Sequence, residues 1–361
     1  MKKIRFLIIV LLCAFVQGTV LTSCSSIRSV APTSSKEYFQ SWNQCVALTT
    51  LKTYVEDVTN PKSANYISAE DRIATFDMDG TFLAELYPTY FEYNLLEYRA
   101  LDDPTYRDKA PEDVREAALD IRNFVRKGIS LPSHFDMKHA HAAAKAYAGM
   151  TLAEFDKYVK AYAALPANGF IGMTYGEGIY KPMLDVFEYL KDKGFTYYVV
   201  SGSDRFICRS LVDPYHIIQP NRVIGMDVML NSSEQGDEDG VNYTMGKEEY
   251  LVRTDSLLIK NLKTNKVRQI SQEIGKVPVL SFGNSSGDAA MHNYCLSNKQ
   301  YRTAVFMLVA DDDARDHASL AEAAKREAKW REAGYTVISM KNDFKTIYGP
   351  GIQKVDFVFP E

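Results

Sequence analysis

Cysteine and histidine are scarce, five and six among 361 residues. Cys13 and Cys24 fall at the extreme N-terminus, which leaves Cys45, Cys208 and Cys295 as an odd, widely spaced remainder. That spacing excludes a metal knuckle and leaves room for one disulfide at most, not a framework of them. Positive charge is not in excess either: 42 Lys and Arg face 46 Asp and Glu. No basic stripe argues for nucleic acid as a partner. The composition of a disordered chain is also missing, since 46% hydrophobic and 24% charged residues describe a globular protein with a sizeable core.

One short apolar run is informative. Lys2, Lys3 and Arg5 precede an apolar stretch from Phe6 to about Val16, the layout of an export leader and too short for a membrane span. It ends in "VLTSCSS", where Leu21 and small residues lead to Cys24. This resembles the lipobox of bacterial lipoproteins, which implies cleavage before Cys24 and lipidation of its thiol. The expected organisation is a signal peptide over 1–23 and a serine-rich tether over 24–36. A lipid anchor would then hold an exported protein on a periplasmic or outer-membrane face. Loss of the leader removes three positive charges and leaves the mature chain more acidic.

Strand-like runs occur at "RIATFD" (72–77), "FTYYVVS" (195–201), "VPVLSFG" (277–283), "TAVFMLV" (303–309) and "YTVISM" (335–340). Helix-like stretches lie between several of them, so the pattern predicts an α/β fold with a doubly wound parallel sheet. "MLDVFEYLKDKG" and "SLAEAAKREAKWREAG" read as helices stopped at Gly194 and Gly334. More than a hundred residues separate the first two strands, too many for one crossover. That interval has helix signals of its own: Pro111 before "EDVREAALDIRNFVRKG", and Thr151 with Glu154 as a capping box. A helical cap over 86–180 is therefore expected, inserted in a core of 37–85 and 181–361. "VIGMDVMLNSSEQGDEDGVNYTMG" reads as a second insertion, a β-hairpin turning at Asp239 and Gly240.

In such sheets chemistry gathers at the carboxyl ends of the strands. The first strand ends in "FDMDGT", the second in "VVSGSD", the third in "SFGNSSGD". Asp77 and Asp79, two apart in an extended segment, face one volume and repel unless something positive lies between them. Asp77 is placed as a carboxylate nucleophile and Asp79 as the group that protonates a leaving oxygen and later deprotonates water. Ser201 offers a hydroxyl and Gly202 an unobstructed N–H to a phosphoryl oxygen. Asn284 and Asp288, with Asp77 and Asp79, supply oxygen ligands suited to Mg²⁺. A lysine should neutralise the transferring group; Lys266 is the first choice and Lys263 the alternative.

These elements, in this order, resemble the haloacid dehalogenase superfamily over residues 71–295. "DMDGT" matches its first motif, Ser201 the second, Lys266 the third and "GNSSGD" the fourth. The resemblance implies a Rossmann-like core and a type 1 helical cap, with the phosphoserine and phosphorylcholine phosphatase-like branch nearest. It places Glu85 where a cap-proximal glutamate faces substrate, so Glu85 is a candidate for a cationic group. One departure stands out: the fourth motif normally begins Gly-Asp, and here it begins Gly283-Asn284. The neutral amide lowers the site's negative charge and should weaken its hold on a metal or leave Asp288 the main acidic partner.

Other signals are set aside. His139 and His141 in "HAHAAAK" are two apart on a helix and read as surface residues. "YGEGIY" reads as a turn, "EQGDEDG" as an exposed tip without calcium-loop spacing, and Asp311 to Asp313 as an acidic helix start. Tyr90, Tyr93 and Tyr98 could cage a quaternary ammonium such as choline, but they equally suit a buried helix face. The expected function is a Mg²⁺-dependent phosphatase acting on a small phosphorylated metabolite through an aspartyl-phosphate. The rivals are a lipoprotein that binds phosphorylated ligands without turnover and a phosphotransferase. Oligomeric state leaves no mark in the sequence.

Overall fold

The run Ile73–Phe76 is buried at every position, without the alternation of a half-exposed strand. That pattern belongs to a parallel strand covered on both faces, and the computed structural model places it there, as β1 at the centre of a seven-stranded sheet. The structure describes residues 36–359. The expected leader, Cys24 and the tether through Ser35 lie outside the described residues.

The strands in chain order are β1 (Ile73–Phe76), β2 (Phe170–Ile171), β3 (Thr196–Asp204), β4 (Val223–Ser232), β5 (Leu251–Ile259), β6 (Leu280–Gly283), β7 (Ala304–Val309), β8 (Thr336–Ser339) and β9 (Gln353–Lys354). The large sheet runs β5-β4-β3-β1-β6-β7-β8, while β2 and β9 form a small second sheet. All pairings in the large sheet are parallel except β4 with β5. The chain builds outward from β1 through β3 and β4, then returns to its other side with β6. This reversal opens a crevice beyond the carboxyl ends of β1, β3 and β6. Stacked Phe76, Phe282 and Phe306 lock these strands on one face of the sheet.

Between β1 and β3 lie the helices Phe91–Glu97, Glu112–Lys127, Phe135–Ala146 and Leu152–Ala163. Pro111 is the N-cap of the second of these and Gly128, left-handed at φ 66°, its C-cap. Thr151 and Glu154 form the reciprocal capping box. The C-terminal segment reaches back to this insertion, where β9 pairs antiparallel with β2. Among the described residues no helix is long and apolar enough to cross a membrane.

Three expectations are corrected. The hairpin exists, but its second arm is β5, not "VNYTMG", and residues 233–250 form a long exposed connection. β4 first pairs parallel with β3 and only then turns to β5, so its apolar residues serve the main sheet. His139 is fully buried against Tyr93, while His141 is exposed. Residues two apart on a helix point to different faces, so one of the pair turned inward. Asp311 to Asp313 do not start a helix: Asp312 accepts from the backbone N–H groups of Ala314 and Arg315, and the next helix begins at Leu320.

Candidate functional site

The cavity at the crevice is open to solvent and holds about 80 Å³ of enclosed space, the scale of a small group such as a phosphoryl. Its floor is made by strand ends. The backbone N–H of Asp77 donates to Phe282 O at 3.0 Å, extending the β1 to β6 ladder and aiming the side chain into the crevice. Gly80, at φ 75°, turns the chain out of the strand, a conformation that favours glycine.

Lys266 sits in the first turn of helix Thr264–Glu273 and is 1% exposed. Its ammonium donates to Asp77 Oδ1 at 2.6 Å and to Asp288 Oδ1 at 2.7 Å. Lys263 is exposed and takes no part. Asp288 Oδ2 accepts from the N–H groups of Asn284 and Ser285. Asp288, one of the expected metal ligands, thus accepts through both oxygens, and its Oδ1 also anchors Lys266. Burial works against the charge on Lys266, yet Asp288 and Asp77 hold its pKa above the ordinary value. Burial, then Asp288, pushes Asp77 upward, and Lys266 opposes the shift.

Asp79 is buried, and its Oδ2 accepts from Ser203 Oγ at 2.8 Å. Its Oδ1 has no hydrogen-bond partner among the described residues. Burial is the largest force raising its pKa, to about 7, while the Ser203 hydroxyl pulls the other way. An acid poised there can give a proton and take one back near neutral pH. Ser201 is fully buried behind this pair, with its Oγ accepting from Ser203 N–H at 3.0 Å and 3.5 Å from Asp79 Oδ2. Gly202 and Ser203 form the wall itself. A Cβ on Gly202 would meet the tip of the Leu262 side chain at 2.5 Å, so glycine here leaves room for that side chain against the wall.

The opposite wall comes from the insertion and the exit of β5: Tyr90, Glu92, Tyr93 and Asp136 face Lys260 and Leu262. Glu92 accepts from Lys260 Nζ at 2.8 Å through Oε1 and from Asp204 N–H at 3.1 Å through Oε2. Burial would raise Glu92, but the Lys260 ammonium holds it below the usual value. Tyr90 and Tyr93 meet edge-on with ring centroids 5.2 Å apart, and Tyr93 donates to Asp136. Tyr98 packs on Tyr162 instead, outside the cavity wall. Glu85 accepts from Asn284 Nδ2 and from the Tyr90 hydroxyl and is not part of the cavity lining.

Sequence reasoning missed Ser203, Lys260, Glu92 and Asp136. Ser203 was within reach, because it lies two positions after Ser201 on an extended segment and shares its side. Glu92 is a lone acid in an aromatic helix, a position that demands a buried partner without naming one. Nothing local marks Lys260.

Among the described residues no group of three or more His, Cys, Asp or Glu forms a ready metal cluster. The donors on the floor are all oxygens: Asp77, Asp288, the Asn284 amide, and Asp79 with its orphaned Oδ1. Three carboxylates, Asp77, Asp79 and Asp288, line the cavity there, and a single lysine, Lys266, pairs with two of them, Asp77 and Asp288. Donor chemistry and excess negative charge both fit a hard cation such as Mg²⁺.

No family model matches the chain, and no curated protein matches it. Solved structures do align with it. A protein of unknown function from Anaerococcus prevotii covers 84% of this chain and 94% of its own, at 15% identity and a TM-score of 0.49. A phosphoserine phosphohydrolase-like protein from Francisella tularensis covers 74% and 94%, at 16% identity and a TM-score of 0.39. A haloacid dehalogenase-like hydrolase from Streptococcus pneumoniae covers 75% and 94%, at 12% identity and a TM-score of 0.36. Likenesses this distant carry no function across, so the reading of the site rests on its own geometry. The fold itself is α/β, a mostly parallel doubly wound sheet with a helical insertion after its first strand, and its structural neighbours include haloacid dehalogenase-like hydrolases.

Proposed function

We propose that this chain is a Mg²⁺-dependent phosphatase of small phosphomonoesters that works through an aspartyl-phosphate on Asp77. The observation that carries the reading is the meeting of Asp77, Lys266 and Asp288 on the cavity floor with Asp79, whose Oδ1 is buried without a hydrogen-bond partner. An oxygen of Asp77 attacks phosphorus as the bond to the leaving alcohol breaks, and Asp79 gives that alcohol its proton. Water then attacks the phosphorus of the acyl phosphate, Asp79 takes the proton from it, and inorganic phosphate leaves. Lys266 and the N–H of Gly202 supply positive charge and a donor for the phosphoryl oxygens. Mg²⁺, held by Asp77, Asn284 and Asp288, would screen the nucleophile from the incoming dianion and leave Asp79 Oδ1 to carry the proton. The insertion acts as a cap that excludes bulk water and selects the leaving group.

The test is phosphate release from a panel of small phosphomonoesters, with Mg²⁺ or EDTA, by the wild type and Asp77→Asn. Metal-dependent release that Asp77→Asn abolishes supports the reading. Ligand binding without release from any substrate favours the binding lipoprotein, and transfer to an added alcohol favours the phosphotransferase. The same reading places the protein on an exported membrane face through lipid at Cys24. Cys24→Ala should then leave the membrane fraction, and its retention there would contradict the anchor.

A further inference from the structure

Asn284 has one oxygen and one nitrogen at its tip, and its neighbours decide which way the amide faces. Its Nδ2 donates to Glu85 Oε2 at 2.9 Å. Burial raises the Glu85 pKa, while Arg326, the Tyr90 hydroxyl and the Asn284 amide oppose that shift and favour the carboxylate, which only accepts and so holds the NH₂. The amide oxygen is thereby turned to the other side, toward the cavity that Asn284 lines. Glu85 is itself held: its Oε1 accepts from the Tyr90 hydroxyl at 3.0 Å, and Arg326 stands 3.9 Å from Oε2.

The backbone has made room for this contact. Gly80 follows directly on the Asp77 to Asp79 pair, and a Cβ there would lie 1.9 Å from Asn284 Nδ2 and 2.5 Å from Glu85 Oε2. Glycine at that place thus serves the turn and also the meeting of Glu85 with Asn284. Charge points the same way. An amide at 284 brings no negative charge to the floor, and Glu85 brings one to within hydrogen-bond distance of it.

We infer that Glu85 is a positioning carboxylate of the cation seat: it fixes the Asn284 amide oxygen toward the metal and returns the negative charge that residue 284 lacks. The inference rests on the Mg²⁺ reading above. It also gives Glu85 a different task from contact with the leaving group. Groups that orient a ligand from behind commonly matter to metal affinity almost as much as the ligand itself.

The pair can be exchanged. In Asn284→Asp alone, two carboxylates would face each other at the cavity floor and repel. With Glu85→Gln added, the amide and the acid have traded places and the hydrogen bond returns. The experiment measures thermal midpoints of the metal-stripped full chain with and without Mg²⁺, together with Mn²⁺ titration calorimetry, for the wild type, both single variants and the double variant. Glu85→Gln should need about tenfold more Mg²⁺ or Mn²⁺, and the double variant should return to within about threefold of the wild type. Asn284→Asp alone should lower the metal-free midpoint by about 2–4 °C, and the double variant should recover it. Unchanged metal affinity in Glu85→Gln, or a double variant no better than that single one, overturns the inference while leaving the Mg²⁺ reading in place. A wild type that does not respond to Mg²⁺ or Mn²⁺ overturns both.

Discussion

The two walls of the cavity are built on opposite plans, although each contains a buried lysine from the same stretch of chain. On the floor, Lys266 bridges two carboxylates at strand ends, beside an acid with a free oxygen. On the roof, Lys260 meets the single carboxylate of Glu92, whose other oxygen is tied to the backbone of Asp204. The floor keeps negative charge in excess, and the Glu92 and Lys260 pair neutralises itself. A buried lysine therefore marks chemistry where its partners still face the reacting group, and marks assembly where they close on each other. Glu92 belongs to the insertion, Asp204 to β3 and Lys260 to the end of β5, so that pair fastens three elements at once.

Acids divide in the same manner. Asp79 and Asp316 are both buried, and burial is the main cause that raises each to about 7. Asp316 accepts from the Tyr348 hydroxyl at 2.8 Å and is enclosed by that segment, whereas Asp79 opens on the cavity. A displaced pKa points to a functional site only together with access.

The sharpest way to break this comparison is Asp77→Asn, which should lower kcat by about 10⁴-fold or more with the fold intact. Steady-state release of phosphate, with circular dichroism as the control, reads the effect. Asp79→Asn comes next, with about 10²–10⁴-fold lost on an alkyl phosphate. On nitrophenyl phosphate, whose leaving group needs no proton, the first-turnover burst of nitrophenol should fall much less, because only the later attack by water still needs Asp79; a burst lost as fully as alkyl phosphate turnover would remove Asp79 from the role of acid.

On the roof, Lys260→Met strands a buried carboxylate and should cost about 3–5 kcal/mol of stability in chemical denaturation. Glu92→Gln in the same chain should recover most of it, leaving a defect in KM more than in kcat. A kcat collapse in that stable double variant would show that the roof takes part in the chemistry. The smallest effect belongs to Asp316→Asn. A carboxyl whose folded pKa is raised from 3.8 to about 7 lends stability at low pH that is lost as pH rises through that window. The asparagine variant lacks this loss, so its stability relative to the wild type should rise by about 2–3 kcal/mol between pH 5 and pH 8, with kcat unchanged. Equal stability at pH 5 and pH 8 relative to the wild type would contradict the assignment.

The parts legible in the sequence were those written locally. β1, β3, β6, β7 and β8 announced themselves as apolar runs, and the strand ends carried Asp77, Asp79, Gly202 and Asp288 in consecutive, recognisable stretches. Lys266 was legible because a helix start places its first turn at the crevice. The second hairpin arm was not, since β5 alternates weakly and earns its place from β4 and from the insertion, where Arg253 N–H donates to Met150 O. Lys260 and Glu92 were hidden for the same reason: each is intelligible only opposite the other, and they stand 168 positions apart. Asn284 was visible as a departure, but its consequence depended on Glu85 lying across from it.

The measurement closest to the central claim is rapid acid quench of the wild type during turnover, followed by peptide mass analysis. A phosphoryl adduct on the peptide that carries Asp77, absent from Asp77→Asn and accumulating further in Asp79→Asn with an activated substrate, is the expected result. Turnover without such an adduct, or an adduct on another residue, would contradict the account.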